Sequence, residues 1–185
     1  VTWPVYNQLR ISAANPADAT NTGEFDMTGS GTYTVTRSLK ANTTYTFKIV
    51  YNSEWYGANS GNLTRASATK TLSTSGGNLT IKTDVAGNYT FTFNSSTKNL
   101  TVTYPTAYTL TYGSGAGGSG TVTANNSIKS GDLVLAGTSV TLTADPADGY
   151  DFAAWYSDQA CESAVVSSNN PYNFSINSNT TLYAK

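Results

Sequence analysis

Trp55 and Tyr56, followed by Gly57, are the residues of this 185-residue chain whose types and spacing best suit recognition chemistry. They come straight after the turn-forming run Asn52-Ser53-Glu54, so the spacing predicts a polar loop edge carrying two large aromatic side chains. Exposed ring faces at such an edge stack on the apolar face of a pyranose, while polar neighbours bond its hydroxyls. The competing reading is that Trp55 closes one end of a hydrophobic core. Catalytic sets are harder to assemble. The chain has no histidine and a single cysteine, and its eleven acidic residues are scattered. Glu54 is the only acid beside the aromatic pair, whereas a glycosidase needs two carboxylates facing each other across a cleft. Cys161, within Gln159-Ala160-Cys161-Glu162, has no internal disulfide partner, and thiolate catalysis usually needs a histidine. The chain therefore reads as non-catalytic, with no cofactor and no metal site.

Two further stretches have a sharp reading and a plain one. The glycine run from Gly113 to Gly120 could cradle phosphate, but it lacks the Lys-Ser/Thr ending of a P-loop and no helix follows it, so it reads as a turn. Asp145, Asp148 and Asp151 offer calcium-type oxygens, but without the D-x-D-x-D-G spacing they read as turn formers.

The elements that would hold these residues are strands. Tyr45, Phe47, Ile49 and Tyr51 alternate with Thr46, Lys48 and Val50, giving one core face and one outer face to a strand that runs into the Trp55 turn. Thr32–Thr36 and Leu79–Lys82 alternate in the same way, and Tyr89–Phe93, a turn from Asn94 to Asn99, and Leu100–Tyr104 form the clearest hairpin. Val1 to Tyr6, with Trp3 and Pro4, reads as an edge strand, because proline cannot donate to a ladder. The polar stretch from Gly57 to Lys70 is long enough to shape a binding rim. About seven such strands predict a β-sandwich over residues 1–105. Pro105-Thr106 breaks the pattern, and a second unit follows over 106–185, with strands at Tyr108–Tyr112, Thr138–Ala144, Asn170–Ile176 and Thr180–Ala184.

Composition narrows the class of partner. Charged residues make up 11% and the net charge is −1, so there is no basic surface for nucleic acid. Thirteen tyrosines and three tryptophans in a weakly charged chain suit an extracellular all-β protein. No apolar run approaches the roughly 20 residues that cross a bilayer, and nothing reads as a signal peptide. The chain reads as a piece of a larger multidomain secreted protein.

The run from Leu39 through Tyr45-Thr46-Phe47-Lys48-Ile49 to Trp55 resembles the glycogen- and starch-binding modules of amylolytic enzymes and glycogen-sensing subunits. The resemblance covers residues 20–104. It implies an immunoglobulin-like β-sandwich in which Trp55 is a stacking platform, Lys48 bonds glucose hydroxyls, and Asn78, in Gly76-Gly77-Asn78-Leu79, adds a further hydrogen bond. The family's second platform tryptophan has no match here, since Gly23-Glu24-Phe25-Asp26-Met27-Thr28 keeps the glycine and phenylalanine and then has no aromatic. Tyr56, Tyr51 and Trp3 are the possible replacements.

Residues 107–185 are similar to the divergent internalin-type B repeats of bacterial surface proteins. The similarity rests on Val140-Thr141-Leu142-Thr143-Ala144, then Pro146, Gly149-Tyr150, Phe152 and Trp155, then Asn170-Pro171 and the closing Asn179-Thr180-Thr181-Leu182. It implies a small β-grasp-like spacer with Trp155 in its core. Together these readings predict an extracellular α-glucan-binding module, for starch or malto-oligosaccharide, followed by a spacer. The alternative is a structural stalk or adhesin fragment with no glucan site. Exposure of Trp55 and Tyr56 discriminates: a flat exposed pair favours the binder, and buried rings favour the stalk.

Overall fold

The computed structural model describes residues 5–12, 18–59 and 62–185, and the chain divides into two compact units, Val1–Pro105 and Thr106–Lys185. Among the described residues all regular structure is strand, apart from 3-10 turns at Ala19–Asn21 and Asn125–Ser127, and no helix is long and apolar enough to cross a membrane.

The first unit contains β1 (Gln8–Ile11), β2 (Gly23–Asp26), β3 (Thr28–Ser30), β4 (Thr32–Leu39), β5 (Thr44–Tyr51), β6 (Glu54–Tyr56), β7 (Thr69–Thr71), β8 (Leu79–Lys82), β9 (Gly87–Asn94) and β10 (Asn99–Thr103). One sheet runs β2-β1-β5-β6 with β8 also paired to β5, and the other runs β3-β4-β9-β10-β7. The predicted alternation of β5 holds: Tyr45, Phe47 and Ile49 are buried between the sheets with Leu9, Ile11, Tyr89, Phe91, Phe93, Leu100 and Val102. Phe47 meets Phe91 edge to face at 5.3 Å, which ties the two layers together. Each such side chain contributes about 1.5–3 kcal/mol on burial.

The start of the chain departs from the sequence reading. Residues 1–4, including Trp3, lie outside the described residues, and Val5 and Tyr6 belong to no strand. The strand beside β5 is β1, which lies between β2 and β5 and whose Leu9 and Ile11 alternate with Gln8 and Arg10 over only four residues.

At the end of the first unit that holds Asp18, a buried carboxylate is fully partnered. It accepts from the Tyr45 hydroxyl at 2.6 Å, from Thr20 Oγ1 at 2.7 Å and from Asn21 Nδ2 at 2.8 Å, while Arg37 Nε donates to Asn21 Oδ1 at 3.0 Å. Burial pushes the Asp18 carboxyl up, but the donated hydrogen bonds and the Lys40 charge outweigh it and hold it at about 2. Burial and the same hydrogen bond push the Tyr45 phenol up to about 12.

The outward face of the β3-β4-β9-β10-β7 sheet consists of Thr, Ser and Asn. Thr28, Thr34, Thr92, Thr101 and Thr69 lie in register, one on each strand. Hydroxyls are shared across strands between Thr36 and Thr90 at 2.8 Å and between Thr69 and Thr101 at 2.9 Å.

The second unit contains β11 (Ala107–Ser114), β12 (Gly120–Ala124), β13 (Asp132–Leu135), β14 (Ser139–Pro146), β15 (Trp155–Tyr156), β16 (Val165–Ser167), β17 (Tyr172–Ser175) and β18 (Thr180–Ala184). A sheet of order β13-β11-β18-β15-β16 faces a smaller one of order β12-β14-β17. Its first and last strands, β11 and β18, pair in parallel, so the rest of the unit forms the crossover that a parallel pair requires. Trp155 is fully buried among Leu110, Val140, Leu142, Ile176 and Leu182, which agrees with its predicted packing role. Its indole Nε1 donates to the Asn169 carbonyl at 2.8 Å.

Two outcomes are expected. Asp18, with its folded-state pKa lowered, stabilises the fold above pH ~4 and loses that contribution between about pH 4 and 2. The urea midpoint should therefore fall across that interval, and Asp18→Asn should flatten the acid limb; an unchanged limb in that variant contradicts the assignment. Trp155→Ala should cost about 3–5 kcal/mol through its cavity and an orphaned carbonyl, measured by chemical denaturation of the full chain.

Candidate functional site

The hairpin that presents Trp55 is tighter than the predicted loop. Asn52 and Ser53 form its two-residue turn with positive φ angles of 50° and 64°, and Glu54–Tyr56 returns as β6 rather than as loop. Positive φ at both central positions matches the twist of the flanking strands, and asparagine adopts it readily. Strand alternation then sends the two aromatics to opposite faces. Trp55 points outward and remains 45% exposed, whereas Tyr56 points inward and is 7% exposed.

This corrects the expectation of a flat exposed pair. Tyr56 packs against Tyr51 and Phe93 at centroid distances of 6.2 and 5.8 Å, and its hydroxyl donates to Glu54 at 3.2 Å. Burial and the neighbouring Glu54 carboxylate raise its pKa. Tyr51 is half-buried on the same inner side, 5.5 Å from Tyr33, with the Lys98 ammonium 5.0 Å from its ring. Neither tyrosine lines the groove under Trp55, so neither supplies a second platform there. Trp3 lies outside the described residues.

The outer face of the β2-β1-β5-β6 sheet brings the other candidates together. A groove of about 350 Å³ is lined by Trp55, Lys48 and Asn78, with Arg10, Glu24 and Thr46 among its other walls. Register explains the gathering. Val50 pairs with Trp55 across β5 and β6, Lys48 pairs with Arg10 across β5 and β1, and Arg10 pairs with Glu24 across β1 and β2. Asn78 immediately precedes β8, one step beyond the Phe47–Leu79 pair, and so falls level with Lys48. That step depends on a close backbone approach. A Cβ on Gly57 would lie 1.9 Å from the Gly77 carbonyl oxygen, and one on Gly76 would lie 2.1 Å from the Gly57 oxygen, so only glycine fits at either position. The stretch after Gly57, predicted to shape the rim, contributes nothing to the groove among the described residues.

Arg10 is the site residue that the sequence reading missed. Its guanidinium lies 4.8 Å from the Trp55 ring centroid. It is held there by Glu24 at 2.9 Å and by donation to Gln8 Oε1 at 3.0 Å, while Gln8 Nε2 donates to Asp26 at 2.8 Å. One ring face is thus covered by a cation that is itself fixed. The signal was present in Gln8-Leu9-Arg10-Ile11, whose polar members share an outer face with Lys48 once β1 is placed beside β5. Lys48 has no ion-pair partner among the described residues, which leaves its ammonium able to donate into the groove. Chemically, the set can stack on one ring and donate from an ammonium and an amide. Glu24, the one carboxylate on the groove lining among the described residues, is engaged with Arg10.

No curated protein and no solved structure matches the chain. A family model does match its second unit, over somewhat less than half of the sequence and none of the groove. Residues 108–185 are similar to the divergent InlB B-repeat domain, a type found in bacterial surface or secreted proteins.

Proposed function

We propose that the chain is a non-catalytic glycan-binding portion of a bacterial secreted or cell-surface protein, with an α-glucan such as starch or a malto-oligosaccharide lying across the Trp55 groove. The observation that carries this reading is the half-exposed Trp55 beside Lys48 and Asn78 in one groove of about 350 Å³. These are the three positions that the resemblance to starch-binding modules picks out, Lys48 and Trp55 from one hairpin and Asn78 from the segment that leads into β8. Trp55 stacks on a glucose face, Lys48 and Asn78 donate to its hydroxyls, and Arg10 keeps the indole in place. The second unit then acts as a spacer that holds the groove away from the parent protein.

The stalk reading draws on one observation, the burial of Tyr56, which leaves the groove with a single platform. Titration calorimetry with maltoheptaose separates the two. Trp55→Ala should weaken binding by roughly ten- to a hundredfold, the worth of one stacked ring. Lys48→Met keeps the stem and removes the donor, so it should cost up to about tenfold, with little dependence on salt because the ligand is uncharged. If titration of the parent chain with maltoheptaose gives no binding heat of either sign and the chain is not retarded in an amylopectin gel, the α-glucan reading fails and the stalk reading stands.

A further inference from the structure

The second unit has a cavity that the glucan reading does not use. It opens where the ends of β11, β12, β14 and β18 diverge and encloses about 130 Å³, with Tyr150, Asp145 and Asp151 among its lining residues. Its wall between Gly117 and Gly120 is nearly bare backbone. Gly120 is required for a different reason, since a Cβ there would lie 2.3 Å from the Asp145 carbonyl oxygen where β12 meets β14. The side chains are what suit a ligand. Tyr150 is 51% exposed, although its backbone is fixed by donation to the Ala147 carbonyl at 3.0 Å. Neither Asp145 nor Asp151 has an ion-pair or side-chain hydrogen-bond partner among the described residues. The Lys185 ammonium lies 5.9 Å from the Tyr156 ring centroid.

Several ligand classes fit poorly. No group of three metal-ligating side chains occurs among the described residues, and the lining carries two aspartates against one ammonium, Lys185, a balance that disfavours phosphates and uronates. The combination of an exposed aromatic ring with a carboxylate that accepts from hydroxyls suits a neutral pyranose, because charge-assisted bonds to its O–H groups are the strong ones. The volume corresponds to about four waters at ~30 Å³ each, which matches one sugar ring better than a chain of them. We propose that this cavity binds the terminal residue of a neutral hexose-bearing glycan, with Tyr150 as the platform and Asp151 accepting its hydroxyl hydrogens. The chain then has two glycan sites of different kinds, one running along a polymer and one reading its end.

Nitrogen-15-labelled full chain titrated with glucose, galactose, mannose and N-acetylglucosamine, and with glucuronate as the charged control, tests this independently of the groove. At least one neutral sugar should shift the amides of Gly117, Gly120 and Tyr150 saturably, equally in the parent and in Trp55→Ala, while glucuronate leaves them in place. Tyr150→Ala should weaken that binding by about tenfold or more, and Asp151→Asn, which keeps the shape, by about three- to tenfold. An unmoved Trp155 indole signal verifies that the second unit of each variant is folded. Shifts confined to Gly23, Lys48 and Asn78 would support the groove and overturn the second site. The second site is equally overturned if no neutral sugar moves its amides, if glucuronate moves them as readily, or if Tyr150→Ala binds as tightly as the parent.

Discussion

Strand β5 has three partners on two edges. On one edge β1 runs alongside it, while on the other β8 covers Thr44 to Phe47 and β6 covers Ile49 to Tyr51, so that the pairing changes hands at Lys48. Two strands cannot occupy the same edge position, and the chain between them must turn away at that point. Gly57 and Gly76 allow the two departing backbones to cross within van der Waals contact, with Gly57 and Ser73 exchanging hydrogen bonds at 3.0 and 2.9 Å. The groove is the outer side of this change of partner. The inner side is continuous core, because Tyr45, Phe47 and Ile49 keep their two-residue period through it. A slip of one residue in β5 would exchange Lys48 with Phe47 and destroy both at once.

The first unit's buried polar groups follow the same economy of placement. Among the described residues no buried side-chain nitrogen or oxygen lacks a partner. Asp18 would be a costly group to bury alone, yet three donors converge on it and one of them, Tyr45, belongs to β5. The strand that shapes the groove is thus also fastened by its first inward residue to the segment that leads into β2.

Much of this was legible in the sequence because period-two alternation survives in long strands. β4, β5, β9, β10 and β14 were recovered from it, as was the burial of Trp155. Several short strands escaped, namely β1, β12, β13 and β16, although β8 and β10, of four and five residues, were read from their alternation, so length alone did not decide which were legible. The Trp55-Tyr56 pair was misread as well. Two adjacent aromatics after a turn look like a loop edge, but a two-residue turn continues the ladder, and a ladder separates neighbours onto opposite faces. Arg10 could not be placed at the site without knowing which strand lies beside β5, and that pairing is set by tertiary contacts rather than by the four residues of β1.

The outward face of the β3-β4-β9-β10-β7 sheet presents threonine, serine and asparagine across five strands, and none of these positions bears a formal charge. Such a face gathers no counterion atmosphere, so its hydration and its reach into solvent are insensitive to ionic strength and to pH between the carboxylate and phenol ranges. Colloidal stability on that side comes from hydroxyl solvation instead of double-layer repulsion. A surface of this kind can approach a charged polymer of either sign without first having to expel salt.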